Sequence, residues 1–190
     1  MPHQKKSVDR QQLSQVILRL IAQRGWNAVT IEAVAKAAKT PASTLKKEFP
    51  LPQNFAALLA EEIDREAFAS VGKISGAVHD RFFDLLMARF DILQKNRQAV
   101  LKMAEAAQRD GMLFRALSCA TLEGSYRLID VAKMNGSSRP FLAAGLTVVY
   151  GWTFFVWRTD ASRDMAKTMV ALDRGLRLAG KASAFFTPRS

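Results

Sequence analysis

An all-α protein is what this 190-residue sequence predicts, on three observations. Apolar residues recur at helical spacing, i, i+3, i+4 and i+7, from Leu13 to Leu176. No segment alternates with the two-residue period of a strand, and there is no internal repeat. The stretch Thr30–Phe49, TIEAVAKAAKTPASTLKKEF, reads as two short amphipathic helices joined by a tight bend.

Taken in order, residues 1–8 read as a basic arm, and the first helix should run from Asp9 to Arg24 on a stripe of Leu13, Val16, Ile17, Leu20 and Ile21. Gly25 is a left-handed stop, and Trp26 packs under the turn after it. Thr30 is placed to cap the next helix, whose Ile31, Val34, Ala35 and Ala38 share one face. At Lys39-Thr40-Pro41 the chain bends, with Thr40 as the second cap and Pro41 at the first helical position, where a missing N–H is tolerated. The helix that follows buries Leu45 and Phe49 and turns Ala42, Ser43, Thr44, Lys46 and Lys47 outward.

This is a helix-turn-helix pattern, and short hydroxyl residues followed by two lysines suit a helix lying in a DNA major groove, with Thr30, Thr40, Ala42, Ser43, Thr44, Lys46 and Lys47 as the candidate DNA contacts. Phe49-Pro50-Leu51-Pro52 closes it, and Pro52 starts a fourth helix bearing Phe55, Leu58, Leu59, Ile63 and Phe68 and ending near Gly72. Further helices are marked by Phe82 to Leu93, by Val100 to Met103, and by Leu113 to Ile129. After the loop Asn135–Pro140, two more are expected at about 140–158 and 162–181, then an irregular tail. The expected organisation is a head, residues 1–52, and a helical body, residues 53–190.

Composition narrows the function. With 49% hydrophobic and 24% charged residues the chain is globular. Of the net charge of +11, +6 sits in residues 1–50, where nine Lys/Arg face three Asp/Glu. That asymmetry points to a polyanion, although an anionic membrane surface would be drawn by the same charge. Lys5, Lys6 and Arg10 are candidates for adjacent phosphates or simply part of a loose arm. Cys119, the one cysteine, excludes an internal disulfide and a cysteine-only zinc site and permits a cytoplasmic setting. The first fifteen residues lack the apolar core of a secretion signal. Pro140–Trp157 carries no charge over eighteen residues, but with Gly145, Thr147, Gly151 and Thr153 it reads as a core helix buried on most sides, so no transmembrane segment is expected.

Enzyme chemistry finds no foothold. His3 and His79 lie far apart, no glycine-rich phosphate loop or nucleophile elbow occurs, and no cofactor or metal is expected. The run Glu61, Glu62, Asp64 and Glu66 reads as a solvated helix face. Met87, Phe90, Met103, Phe114 and Tyr126 are candidates for an adaptable apolar pocket or for plain core. Trp152, Phe155 and Trp157, with Gly145 and Gly151 allowing close approach, are candidates for a dimer seam or a lipid groove.

Ile17-Leu18, Gly25-Trp26, Thr30-Ile31, Val34-Ala35, Ala37-Ala38, Thr44-Leu45, Phe49-Pro50 and Phe55 give residues 10–65 a resemblance to the TetR family of transcriptional regulators. The resemblance implies an all-helical homodimer with a three-helix DNA-binding head and a body that takes a small apolar effector. It also implies a dimer interface on the last two helices, here Phe141, Gly145, Val149, Trp152, Phe155, Met169, Leu172 and Leu176. The usual activity is repression at a two-fold symmetric operator, relieved by the effector. Lys39 stands where that family has a turn glycine, Pro41 where a capping serine is common, Lys46 where a tyrosine is habitual, and Pro52 where a lysine is usual. Further on, Phe155–Ser162, Thr168-Met169 and Leu172-Asp173-Arg174 resemble a branch of the same fold that binds lipid, assists ubiquinone biosynthesis and no longer binds DNA.

Overall fold

In a computed structural model, residues 9–72, 74–134 and 138–186 are described, the side chains as far as Lys181. Among them the chain is helical, without strands. The helices are α1 (Arg10–Arg24), α2 (Ile31–Ala38), α3 (Ala42–Glu48), α4 (Asn54–Ser70), α5 (Val78–Lys95), α6 (Arg97–Ala107), α7 (Gly111–Val131), α8 (Arg139–Thr159) and α9 (Ala166–Phe186), with a short 3-10 turn at Trp26–Ala28. His3, Lys5, Lys6, residues 135–137 of the expected loop and the tail from 187 lie outside the described residues.

The chain forms two compact units. One takes residues up to Ile63 together with Leu93–Ala120; the other takes Asp64–Ile92 and everything from Thr121. The unit holding the helix-turn-helix therefore extends past residue 52 and recruits α6 and the first half of α7. Its core joins Leu13, Ile17, Ile21, Val34, Leu45 and Phe55 to Met103 and Leu113, residues from distant parts of the sequence. α1 packs along α6, and Lys102 of α6 donates from Nζ to the Ala22 carbonyl at 2.6 Å, satisfying a carbonyl in the last turn of α1. Asp9 caps α1 by accepting from the Gln12 amide, and Gly25 ends it with φ 79°, a backbone only glycine adopts freely.

In the second unit α8 and α9 pack as an antiparallel pair around Ala143, Leu146, Val149, Leu172 and Leu176. They pack tightly at Gly175, where a Cβ would come within 2.9 Å of Val149 Cγ1. A Cβ on Gly145 or Gly151 would meet nothing within 4 Å among the described residues.

α9 begins at Ala166, four residues later than expected, and Asp160 explains the delay. Its buried carboxylate accepts from the Ser162 amide and hydroxyl through Oδ1, and from the Thr168 amide (2.9 Å) and hydroxyl (2.8 Å) through Oδ2. Residues 161–165 are wrapped around that carboxylate, and Met165 is held in the left-handed region at φ 54°. Burial alone would raise the Asp160 pKa, but the donors from Ser162 and Thr168 outweigh it and hold the group well below the usual carboxylate range.

Two outcomes follow from this packing. Leu113→Ala, in the half of α7 that completes the head's core, should cost about 2–5 kcal/mol, read as a lower urea midpoint for that unit. Because the Asp160 pKa is depressed on folding, its stabilisation is present above about pH 4 and is lost as pH falls through the lower folded value. Asp160→Asn should lower stability at pH 7 by about 1–3 kcal/mol and flatten the acid limb of a stability-versus-pH curve.

Candidate nucleic-acid interface

α2 meets α3 through a left-handed turn built without glycine. Thr30 caps α2 as expected, its Oγ1 accepting from the Ala33 amide at 3.1 Å. At the other end Lys39 adopts φ 52°, ψ 39°, and the Lys39 and Thr40 amides donate back to the Lys36 and Ala35 carbonyls at 3.4 and 3.0 Å. This is a Schellman closure in which a lysine holds the position that favours glycine. A non-glycine residue there carries backbone strain of about 1–2 kcal/mol.

The start of α3 differs from expectation for the same reason. Thr40 is drawn back onto α2, and its hydroxyl donates to the Ala38 carbonyl at 3.3 Å instead of capping α3. Pro41 is itself the cap residue, at φ −58°, ψ 132°, with no side-chain capping bond, and its carbonyl receives the Thr44 and Leu45 amides. α3 is therefore seven residues long, one shorter at its start than the expected helix. Leu45 is its buried anchor, and Phe49 is buried just beyond it with its ring 5.2 Å from that of Phe55.

With Leu45 turned inward, Ala42, Ser43, Lys46 and Lys47 are presented together on the exposed face of α3. Thr44 is half-buried at its edge. Among the described residues neither Lys46 nor Lys47 has an ion-pair partner. Exposed Lys36 and Lys39 border the same turn, with Glu32 and Glu48 as its acids. Thr30 is exposed, though its hydroxyl is engaged in capping α2. Arg10 is paired with Glu61 of α4 at 2.8 Å. The arrangement offers exposed cations and two small side chains to a groove-sized partner, which suits phosphate attraction together with close approach to base edges.

The five pocket candidates are divided between the two units. Met103 sits in the core of the first unit, and Phe114, in that unit too, is exposed. Met87, Phe90 and Tyr126 belong to the second. Phe90 stacks on Tyr150 with ring centroids 5.3 Å apart. None of the five lines the open groove of about 1130 Å³ between α5 and α9, around His79, Phe83, Met169 and Leu176.

The dimer candidates divide by the face they occupy. Val149, Leu172 and Leu176 are buried inside the unit, as is Trp157, because these positions close the α8–α9 pair on the core. Phe141, Trp152 and Phe155 stand 82%, 59% and 62% exposed, with Val148 between them and Val170 and Leu178 of α9 also outside. Gly145 and Met169 are partly covered. The expectation that this helix is buried on most sides fails: only 28% of its apolar window is covered. α8 is long and apolar enough to cross a membrane by length and composition, yet one side of it packs on α9 and the core. Its other side is an uncovered apolar stripe, larger than isolated surface hydrophobics explain.

One feature lay outside the expectations. Asp64, read as part of a solvated acidic run, is buried and paired with Arg89 and Arg127. The signal was present in α5, where Arg89 occupies the apolar period of Phe82, Leu86 and Leu93. No group of three His, Cys, Asp or Glu residues gathers as a metal site among the described residues.

Residues 15–50 match the family model described as bacterial regulatory proteins, tetR family. No curated protein matches the chain. Solved structures do. The TetR transcriptional regulator from Nitrosomonas europaea is 18% identical, with 90% of this chain and 97% of that one covered at a TM-score of 0.68. A TetR regulator from Rhodococcus sp. RHA1 is 15% identical over 92% and 97%, at 0.59. The multidrug binding protein EbrR, solved with imidazole, is 22% identical over 92% and 93%, at 0.53. At these identities the likeness is one of fold.

Proposed function

With a head of TetR-family sequence on the fold of TetR-family regulators as the premise, we propose that this chain is a dimeric transcriptional repressor acting in the cytoplasm. The exposed face of α3 carries the reading. Ala42 and Ser43 lie against base edges in a major groove, while Lys46 and Lys47 engage phosphates as point charges. Lys46, where the family has a tyrosine, exchanges a directional phosphate contact for a charge-based one. DNA binding is assigned to residues 1–52, and effector binding and dimerisation to residues 53–190.

The second copy covers the apolar stripe of α8. Phe141, Val148, Trp152 and Phe155 follow one another at helical spacing, and a two-fold axis sets the same stripe against itself. Two recognition helices then address two half-sites, the geometry a helix-turn-helix dimer needs. An effector with a largely apolar body binds in the second unit and releases the DNA. The uncovered stripe also favours a second role, a lipid-binding accessory of ubiquinone biosynthesis on the same fold. That role expects lipid to co-purify and no duplex to be preferred.

Selection of random duplex by the purified protein at physiological salt separates the two. A two-fold symmetric site bound at least ~10³ times better than random sequence is expected of the regulator. Replacing Lys46 and Lys47 with alanine should weaken binding to that site and reduce the salt slope by about one unit per lost phosphate contact; an unchanged slope removes them from the interface. Trp152→Glu should weaken self-association by about 30-fold or more, read by sedimentation, and leave helicity intact.

A further inference from the structure

In the second unit one buried carboxylate faces two guanidiniums. Asp64 of α4 faces Arg89 of α5 through Oδ1, with Nε at 2.9 Å, and Arg127 of α7 through Oδ2, with Nε at 2.9 Å and Nη2 at 2.8 Å. Two guanidiniums thus share one carboxylate, and Arg89 is only 3% exposed. Among the described residues its buried Nη1 has no acceptor. A buried donor on a charged group, left unpaired, carries a desolvation penalty that a second anion would relieve. Arg127 is 33% exposed, so the cluster has an edge that solvent and solutes reach.

The surroundings define what kind of anion fits. Gly124 keeps α7 free of a side chain where the Arg89 fork lies: a Cβ there would stand 3.0 Å from both Nη atoms and from Asp64 Oδ2. The Tyr150 ring lies 4.5 Å from Arg89 Cζ, and Phe90, Phe154 and Trp157 extend it into a run of stacked and tilted rings with centroids 5.3 to 6.4 Å apart. Positive charge thus rests against an aromatic cluster whose Phe90 and Trp157 are fully buried, a setting that suits an acid group on a flat or apolar body.

We propose that Arg89 and Arg127 form an anion-recognition site that takes the carboxylate of the effector, with Asp64 as the internal anion it supplements or displaces. This rests on reading the chain as effector-responsive and narrows that effector from an apolar molecule to an apolar acid. Arg127 meets the carboxylate first, from its exposed side. Arg89 supplies the deeper donor, and loosening of the Asp64 pairs alters how α4, α5 and α7 are tied together in this unit.

The test is titration calorimetry on the full chain with naphthoate, benzoate and decanoate, each against its neutral amide. At least one carboxylate should bind about 10-fold or more tightly than its amide. Arg127→Gln, at the exposed edge, should erase that preference with helicity retained, and Asp64→Asn, which removes the internal competitor, should tighten carboxylate binding. No preference for any of the three acids overturns the site, as does a preference that survives Arg127→Gln unchanged. Binding is read without DNA, so the two ideas fail separately. Absence of a preferred duplex would sink the regulator alone, and a preferred duplex without carboxylate preference would sink this site alone.

Discussion

A helix of seven residues does not hold itself together in water, so everything the head presents depends on the burial of Leu45 and Phe49. Nucleating a first turn costs more than its single hydrogen bond returns, and α3 has no side-chain cap to offset it. Its orientation is set from beneath, by an apolar cluster drawn from α1, α2, α4, α6 and α7. The exposed face can then vary freely in chemistry. That freedom explains how lysine stands at position 46, and how strain at Lys39 is tolerated in a turn closed by two backbone bonds.

The motif that resembles the lipid-binding branch has a local structural purpose in this chain. Asp160, Ser162 and Thr168, three of its residues, are consumed in closing the corner between α8 and α9. A buried carboxylate with four donors specifies one turn geometry, and that geometry brings α9 back along α8 so that Gly175 passes close to Val149. In this chain those three side chains serve to turn a corner.

Helix positions and most stops were legible in the sequence, since apolar period, Thr30 and Gly25 are local signals with local causes. The Thr40 cap was misread because the Schellman closure withdraws its amide and hydroxyl, and that closure depends on Lys39 adopting a backbone region lysine rarely visits. Periodicity also cannot say what an apolar face meets. Val149 and Trp152 carry the same signal on one helix, yet one closes the core and the other stands in solvent. Asp64 was hidden by its neighbours: three carboxylates on adjacent faces of α4 masked the one that turns inward, and its partners lie 25 and 63 residues away.

The helix-turn-helix is made well before the last helices that complete its core. Leu13, Ile17 and Phe55 share their core with Met103 and Leu113, and fifty residues separate Ile63 from Leu113. At synthesis rates of about 5–20 residues per second, that gap lasts roughly 3–10 seconds. During it the nascent helix-turn-helix has an open apolar flank where α6 and α7 will later lie, so its burial is incomplete until they emerge.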